Sequence, residues 1–173
     1  QGHESLLIAP DYGNAQEQDD SLNILRVTSR GVPRDPEDRM MSSKEIRRLL
    51  PWLKKQQFDV VHIQTPFIAH YAGVALARDL QLPAVETYHT YFEEYLHHYV
   101  PLMPRAVMRF AARRFTCSQA HQVQRLIAPS RAMEEALRAY GVRTPITVIP
   151  TGLEADRFIV GDGASFRRSR AIS

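Results

Sequence analysis

The chain has 173 residues, enough for one ordinary domain and too few for two. With 44% hydrophobic and 24% charged residues it has the composition of a globular protein, and a net charge of +3 falls short of a nucleic-acid-binding signature. The one cysteine, Cys117, excludes an internal disulfide and by its isolation argues against a zinc site; a reducing, cytoplasmic setting fits, with Cys117 as a small, half-buried thiol. No secretory pattern opens the chain and no apolar run reaches the ~18 residues that span a bilayer, so any membrane contact is expected to be peripheral.

In chain order, Gln1-Gly2-His3-Glu4 runs straight into the apolar stretch Ser5–Pro10, a strand that begins like the middle of a fold. Residues 11–20 are polar and acidic and are expected to form a loop. Asn23–Thr28 is a short strand, and the Pro-, Asp- and Arg-rich 31–39 a second loop. Ser42 with Glu45 three positions on is a capping-box pattern, heading a helix that runs to about Gln57. The nearly continuous apolar run Phe58–Ile63 predicts a strand buried on both faces, with His62 a core histidine. A helix over 68–80, a strand over 84–88 and helices near 90–98 and 104–115 follow. After them come a strand over 125–128, a helix from its Ser130 cap to Tyr140 and Gly141, and a last strand over 146–149. The tail 161–173, with its Gly, Ser and Arg, is expected to be a mobile linker.

Strands alternating with helices at this spacing indicate an α/β fold with a doubly wound parallel sheet. Right-handed crossovers put every strand's carboxyl end along one edge, where the ligand crevice of such a sheet lies. The residues to weigh are those just after each strand.

Those strand ends carry a resemblance. Gly2-His3-Glu4 before a strand ending in Pro10, Asp59–Pro66, Thr87-Tyr88-His89-Thr90, Ile127–Ser130, and Val148–Leu153 with Phe158 downstream together resemble the ordered motifs of family 4 (group 1) glycosyltransferases. The likeness runs from Gly2 to about Phe158. Within the family it is most similar to enzymes that glycosylate diacylglycerol or phosphatidylinositol. The resemblance implies a Rossmann-like, acceptor-side half of a GT-B fold over residues 1–158, lacking its first strand. Residues 159–173 would then lead toward an absent nucleotide-sugar-binding domain. In the strand order 3-2-1-4-5-6 the first strand is central, so the strands near 6–9 and 60–63 are expected to share no neighbour, and the chain alone to be inactive.

His89 is the foremost site residue: it follows a strand at the crevice edge, and the resemblance places it near donor sugar and acceptor. The plain alternative is an imidazole bonded to a nearby carbonyl. Gln64 and Thr65, with Thr90, are candidates for substrate hydroxyls, against a scaffold role. Ser130 offers a helix N-terminus to an anion, or simply a cap. Thr151 and Gly152 lie where the family chain nears the interdomain cleft, or form an ordinary turn. Glu93 and Glu94 suggest a carboxylate base but fit a solvated helix face. His97-His98 diverge by about 100° on a helix and do not chelate together. Arg105, Arg109, Arg113 and Arg114 form a basic stripe beside apolar Val107, Met108 and Phe110, suited to an anionic membrane surface or else to plain solvent.

The resemblance thus implies hexose transfer from a UDP- or GDP-linked sugar to a lipid or glycan acceptor, with retention at the anomeric carbon, at the inner membrane face. It requires no cofactor, metal or nucleic acid. The alternatives are a non-catalytic Rossmann-type binding module and a sugar-nucleotide epimerase of similar fold.

Overall fold

The computed structural model describes residues 2–13, 23–32, 35–89, 104–152 and 162–170, with backbone only at 35–38 and 164. Strand β1 (Leu7–Pro10) pairs in parallel with β2 (Ile24–Val27), Leu7 opposite Ile24. Strands β3 (Ser29–Val32) and β4 (Asp35–Met41) then form an antiparallel hairpin. The loop expected over 31–39 is therefore corrected. The register slips between Gly31 and Val32. A bulge of that kind absorbs extra residues, and a two-stranded edge pair accepts a proline such as Pro36 because one side of the strand needs no N–H.

Helix α1 (Ser43–Leu53) starts where the cap pattern predicted, with the Glu45 N–H donating to Ser42 Oγ at 3.3 Å. Only half of the capping box forms. The Glu45 carboxylate turns instead to the backbone N–H and hydroxyl of Thr28, which fastens α1 to the end of β2. Those two hydrogen bonds hold the Glu45 carboxyl below its ordinary pKa. The helix stops at Leu53, short of Gln57: Pro51 withholds one intrahelical N–H, and Gln57 takes a φ of 54° that turns the chain toward the next strand.

The main sheet is parallel, in the order β5 (Val61–Ile63), β6 (Ala84–Thr87), β7 (Arg125–Ala128), β8 (Ile146–Val148). Its register sets Ile63, Glu86, Leu126 and Ile146 side by side on one face, and His62, Val85 and Arg125 on the other. The core lies on the first face. Ile63, Ala84, Tyr88 and Leu126 pack there with Ala77 of α2 (Ile68–Leu80), Ala112 of α3 (Arg105–Ala120) and Leu137 of α4 (Arg131–Tyr140). β5 is consequently buried on one face only. Ile63 is 3% exposed, whereas Val60 is 46% exposed and His62 is also on the surface, so the core histidine expected at 62 is corrected. The period-two alternation of a strand at the sheet's open edge gives each side chain one face or the other, and only one face is covered.

Gly73 sets how closely α2 approaches this sheet: a Cβ there would fall 2.6 Å from Ile63 Cγ1. Helix α4 has the two ends expected of it. The Met133 N–H donates to Ser130 Oγ at 3.2 Å, and Gly141 closes the helix with a left-handed φ of 95°. The tail is not wholly irregular: Gly163–Ser169 form helix α5, with the Ser165 N–H donating to Asp162 Oδ1 at 3.0 Å. An acidic cap ahead of a short run of helix-tolerant residues is enough to start a turn.

The pair β1–β2 is not hydrogen-bonded to the four-stranded sheet, so among the described strands β1 and β5 share no neighbour.

Candidate functional site

The four parallel strands end along one edge, and the polar residues cluster where β5 meets β6. His89 Nε2 lies 3.1 Å from Gln64 Oε1, which brings together residues 25 positions apart. The Gln64 amide nitrogen rests against the His62 ring, 3.1 Å from Nδ1 and 3.2 Å from Nε2. His62 Nε2 is 2.7 Å from Thr87 Oγ1. One proton arrangement links the four side chains in series and leaves only the approach of the Gln64 amide to His62 Nε2 without a hydrogen bond. His89 Nε2–H donates to Gln64 Oε1, the Gln64 amide donates to His62 Nδ1, and His62 Nε2–H donates to Thr87. In that arrangement His89 Nδ1 is left as an acceptor for a ligand hydroxyl.

His62 must stay neutral for this, and its pKa is lowered from the ordinary 6.5, first by desolvation and then by repulsion from His89. The same ring therefore orients Gln64 and, through it, fixes the tautomer of His89.

The loop after β5 carries Thr65, exposed, and Phe67, whose φ of 60° is strained for a side chain of that size. Phe67 lies against Phe115 of α3, ring centroids 5.4 Å apart. Beneath the loop, the first turn of α2 contributes His70, fully buried, with Nδ1 3.1 Å from both oxygens of Glu86. Neither residue of this pair lies just after a strand, where site residues are expected. Its signal is a histidine inside an apolar helix and a glutamate inside the apolar strand Ala84–Thr87, two misplaced polar groups that explain each other.

The remaining expected residues spread along the same edge without meeting. Ser130 follows β7 and Thr151 follows β8, so Thr151 stands two strands, or about 10 Å, from β6. Ser130 Oγ is engaged in capping. Gly152 has an ordinary φ and no atom within 4 Å of a Cβ built on it, so neither strain nor crowding calls for glycine there. Thr90, Glu93, Glu94, His97 and His98 lie outside the described residues.

On α3, Arg105, Arg109, Arg113 and Arg114 are all exposed, beside Val107 (51% exposed) and Phe110 (67%). The four are not equivalent: the Arg113 guanidinium sits 5.3 Å from the centre of the Tyr140 ring, on α4. The Cys117 thiol points to the Tyr140 carbonyl at 3.2 Å, and its pKa is raised by burial, as suits an unreactive thiol. Among the described residues no three His, Cys, Asp or Glu side chains gather to hold a metal, and no helix is long and apolar enough to cross a membrane.

A parallel α/β sheet with polar side chains gathered at its carboxyl edge defines a Rossmann-like ligand-binding half. Residues 1–157 match the model of Glycosyltransferase Family 4. The chain belongs to that family, and its fold is the Rossmann-like amino-terminal half of the GT-B arrangement. It is 30% identical over 161 residues to an alpha-monoglucosyldiacylglycerol synthase of Streptococcus pneumoniae, covering 91% of this chain and 35% of that protein. It is 24% identical to an enzyme of the same description from Acholeplasma laidlawii, over 91% of this chain and 40% of the relative. It is 31% identical to a GDP-mannose-dependent alpha-mannosyltransferase of Mycobacterium tuberculosis, over 82% of this chain and 37% of the relative. The chain thus spans little more than a third of the length of these relatives.

Proposed function

We propose that this chain is the acceptor-side half of a retaining glycosyltransferase that moves a hexose from a nucleotide sugar to a lipid-type acceptor. The observation that carries the reading is the relay Thr87–His62–Gln64–His89 at the carboxyl edge of the sheet. It holds one imidazole whose Nδ1 has no partner among the described residues, the group needed to accept a hydrogen bond from a sugar or acceptor hydroxyl and set it in place. Family membership supports glycosyl transfer, and the diacylglycerol named in two relatives supports the lipid acceptor. Thr65 and Thr90 border the same strand ends as acceptor contacts. Ser130, Thr151 and Gly152 extend the edge toward the donor.

The second, nucleotide-sugar-binding domain lies in a longer polypeptide. Positioning and stabilisation of the departing diphosphate supply most of the rate in the cleft between the two halves. The exposed Val107 and Phe110 with Arg105, Arg109 and Arg114 lay α3 on an anionic membrane at the cytoplasmic face, each arginine contributing about 1 kcal/mol at low salt.

The test incubates the chain, alone and joined to such a nucleotide-sugar-binding half, with radiolabelled UDP- and GDP-hexoses and anionic liposomes carrying diacylglycerol and phosphatidylinositol. We expect lipid-phase label from the joined protein, α-anomeric by NMR. His89→Ala should cut it by about a hundredfold while circular dichroism is unchanged. Free hexose or epimerised donor without labelled lipid would reject lipid transfer. Undiminished transfer by His89→Ala would reject the role of the relay.

A further inference from the structure

Four residues, Gln64 to Phe67, carry the chain from the end of β5 to the first turn of α2. Both flanks are fixed. The Val61 N–H donates to the Pro83 carbonyl at 3.0 Å, and the Tyr71 N–H closes the first turn of α2 on the Phe67 carbonyl at 3.1 Å. Farther along α2, His70 is tied to Glu86 and Gly73 lies against Ile63. Within this arm Pro66 has a fixed φ. The residue before a proline is confined to extended backbone, which stiffens Thr65 as well. The torsions of Phe67 are therefore the main joint that decides how Gln64 is carried against His89.

On local grounds Phe67 is a poor residue for that joint. Its φ of 60° and ψ of −123° lie outside the regions open to a residue with a Cβ, whereas glycine adopts them without strain. It also stands at the N-cap of α2, where Ser, Thr, Asp, Asn or Gly is preferred, and its side chain caps no helix N–H. A glycine would suit both. What glycine lacks is the ring, which lies on Phe115 of α3 with centroids 5.4 Å apart and planes tilted by 31°. Phe115 packs in turn against the core, so it is a fixed seat, while Phe67 remains 51% exposed.

Backbone strain of this kind persists where the surrounding contacts hold it, and it gathers at functional sites. Here the strained residue is close in sequence to Gln64, whose Oε1 is 3.1 Å from His89 Nε2. Hydrogen bonds of this type span only about 2.7–3.2 Å, so relaxation of Phe67 to an ordinary conformation carries Gln64 out of reach of His89.

We propose that Phe67 is a positioning residue of the crevice: its ring, seated on Phe115, holds the arm in the strained form that sets Gln64 between His62 and His89. The contact thereby makes α3 a support of the relay. The proposal rests on the reading of His89 as the ligand-facing imidazole.

The experiment compares the whole chain with Phe67→Gly, Phe67→Tyr and Phe115→Ala. Proton NMR reads nuclear Overhauser contacts from the Gln64 side chain to the rings of His62 and His89, and thermal melts read stability. We expect the contacts in the parent and in Phe67→Tyr, which keeps the ring. Phe67→Gly should lose them and still melt within about 4 °C of the parent, since glycine relieves the backbone as the ring contact goes. Phe115→Ala should lose them with the Phe67 side chain intact. Contacts that persist in Phe67→Gly or Phe115→Ala would overturn the proposal, as would their loss in Phe67→Tyr. A larger fall in the melting midpoint of Phe67→Gly would make the ring ordinary packing and overturn it too. Absence of the contacts in the parent would remove the relay itself, and with it the reading of His89, rather than the part of Phe67 alone.

Discussion

Replacing Glu86 with leucine tests what fastens the crevice loop. His70 is fully buried and Glu86 is 4% exposed, and their contact ties the first turn of α2, just after the Gln64–Phe67 loop, to the middle of β6. No partner is recorded for His70 Nε2 among the described residues, so the carboxylate satisfies the one ring nitrogen that is bonded. Leucine keeps the volume and removes the acceptor, leaving a buried donor unmet at a cost of about 1–3 kcal/mol. At roughly 2–4 °C per kcal/mol for a chain of this size, the melting midpoint should fall by about 2–12 °C. Glu86→Gln retains an acceptor and should lose less. His70→Leu combined with Glu86→Leu removes both halves and should recover most of the loss, because two matched apolar groups leave nothing unsatisfied. Urea unfolding of the parent, Glu86→Leu, His70→Leu and the double variant, read by circular dichroism, gives the coupling directly. A Glu86→Leu protein as stable as the parent, or a double variant worse than the sum of the singles, would refute the view that this pair anchors α2.

Gly73→Ala places a Cβ 2.6 Å from Ile63 Cγ1 and 2.9 Å from Cδ1. Overpacking of about 1–3 kcal/mol should outweigh the ~1 kcal/mol by which alanine favours a helix, and adding Ile63→Val should restore part of it in a thermal melt. The pKa of His62 is lowered in the fold, so the unfolded chain takes up its proton first as pH falls. That contribution to stability is complete above the unfolded value of about 6.5 and is lost on acidification below it. Urea midpoints compared at pH 7.5 and 5.5 should therefore drop more for the parent than for His62→Gln; equal drops would remove His62 from the account.

Much of the chain is legible where a local rule decides the outcome. The extents of α2 and β7 follow from hydrophobic period alone. Ser130 and Gly141 mark the ends of α4 because a cap and a left-handed stop are properties of single residues. The edge to search for a site was also available, since parallel strands joined by helices put their carboxyl ends together. Gln64 and His89 both follow strands on that edge, and their side chains meet.

Other features depended on partners distant in sequence. The Glu45 carboxylate left its capping box for Thr28, 17 positions away, because tertiary packing brought a free backbone N–H and hydroxyl within reach. The hairpin over 29–41 was concealed by the Pro-, Asp- and Arg-rich composition of its second strand, whose Pro36 an edge pair with a bulge accommodates. His62 seemed a core residue because its apolar neighbours said nothing about which face of β5 would be covered. Placing it at the surface, bonded to Thr87 and supporting Gln64, required β6 alongside and one face left open. The sequence by itself determined the strands of the parallel sheet, the helices that follow them among the described residues, and the family. Only the tertiary structure decided which polar side chains found each other, because a hydrogen bond between strands depends on register, and register is settled by how the faces pack.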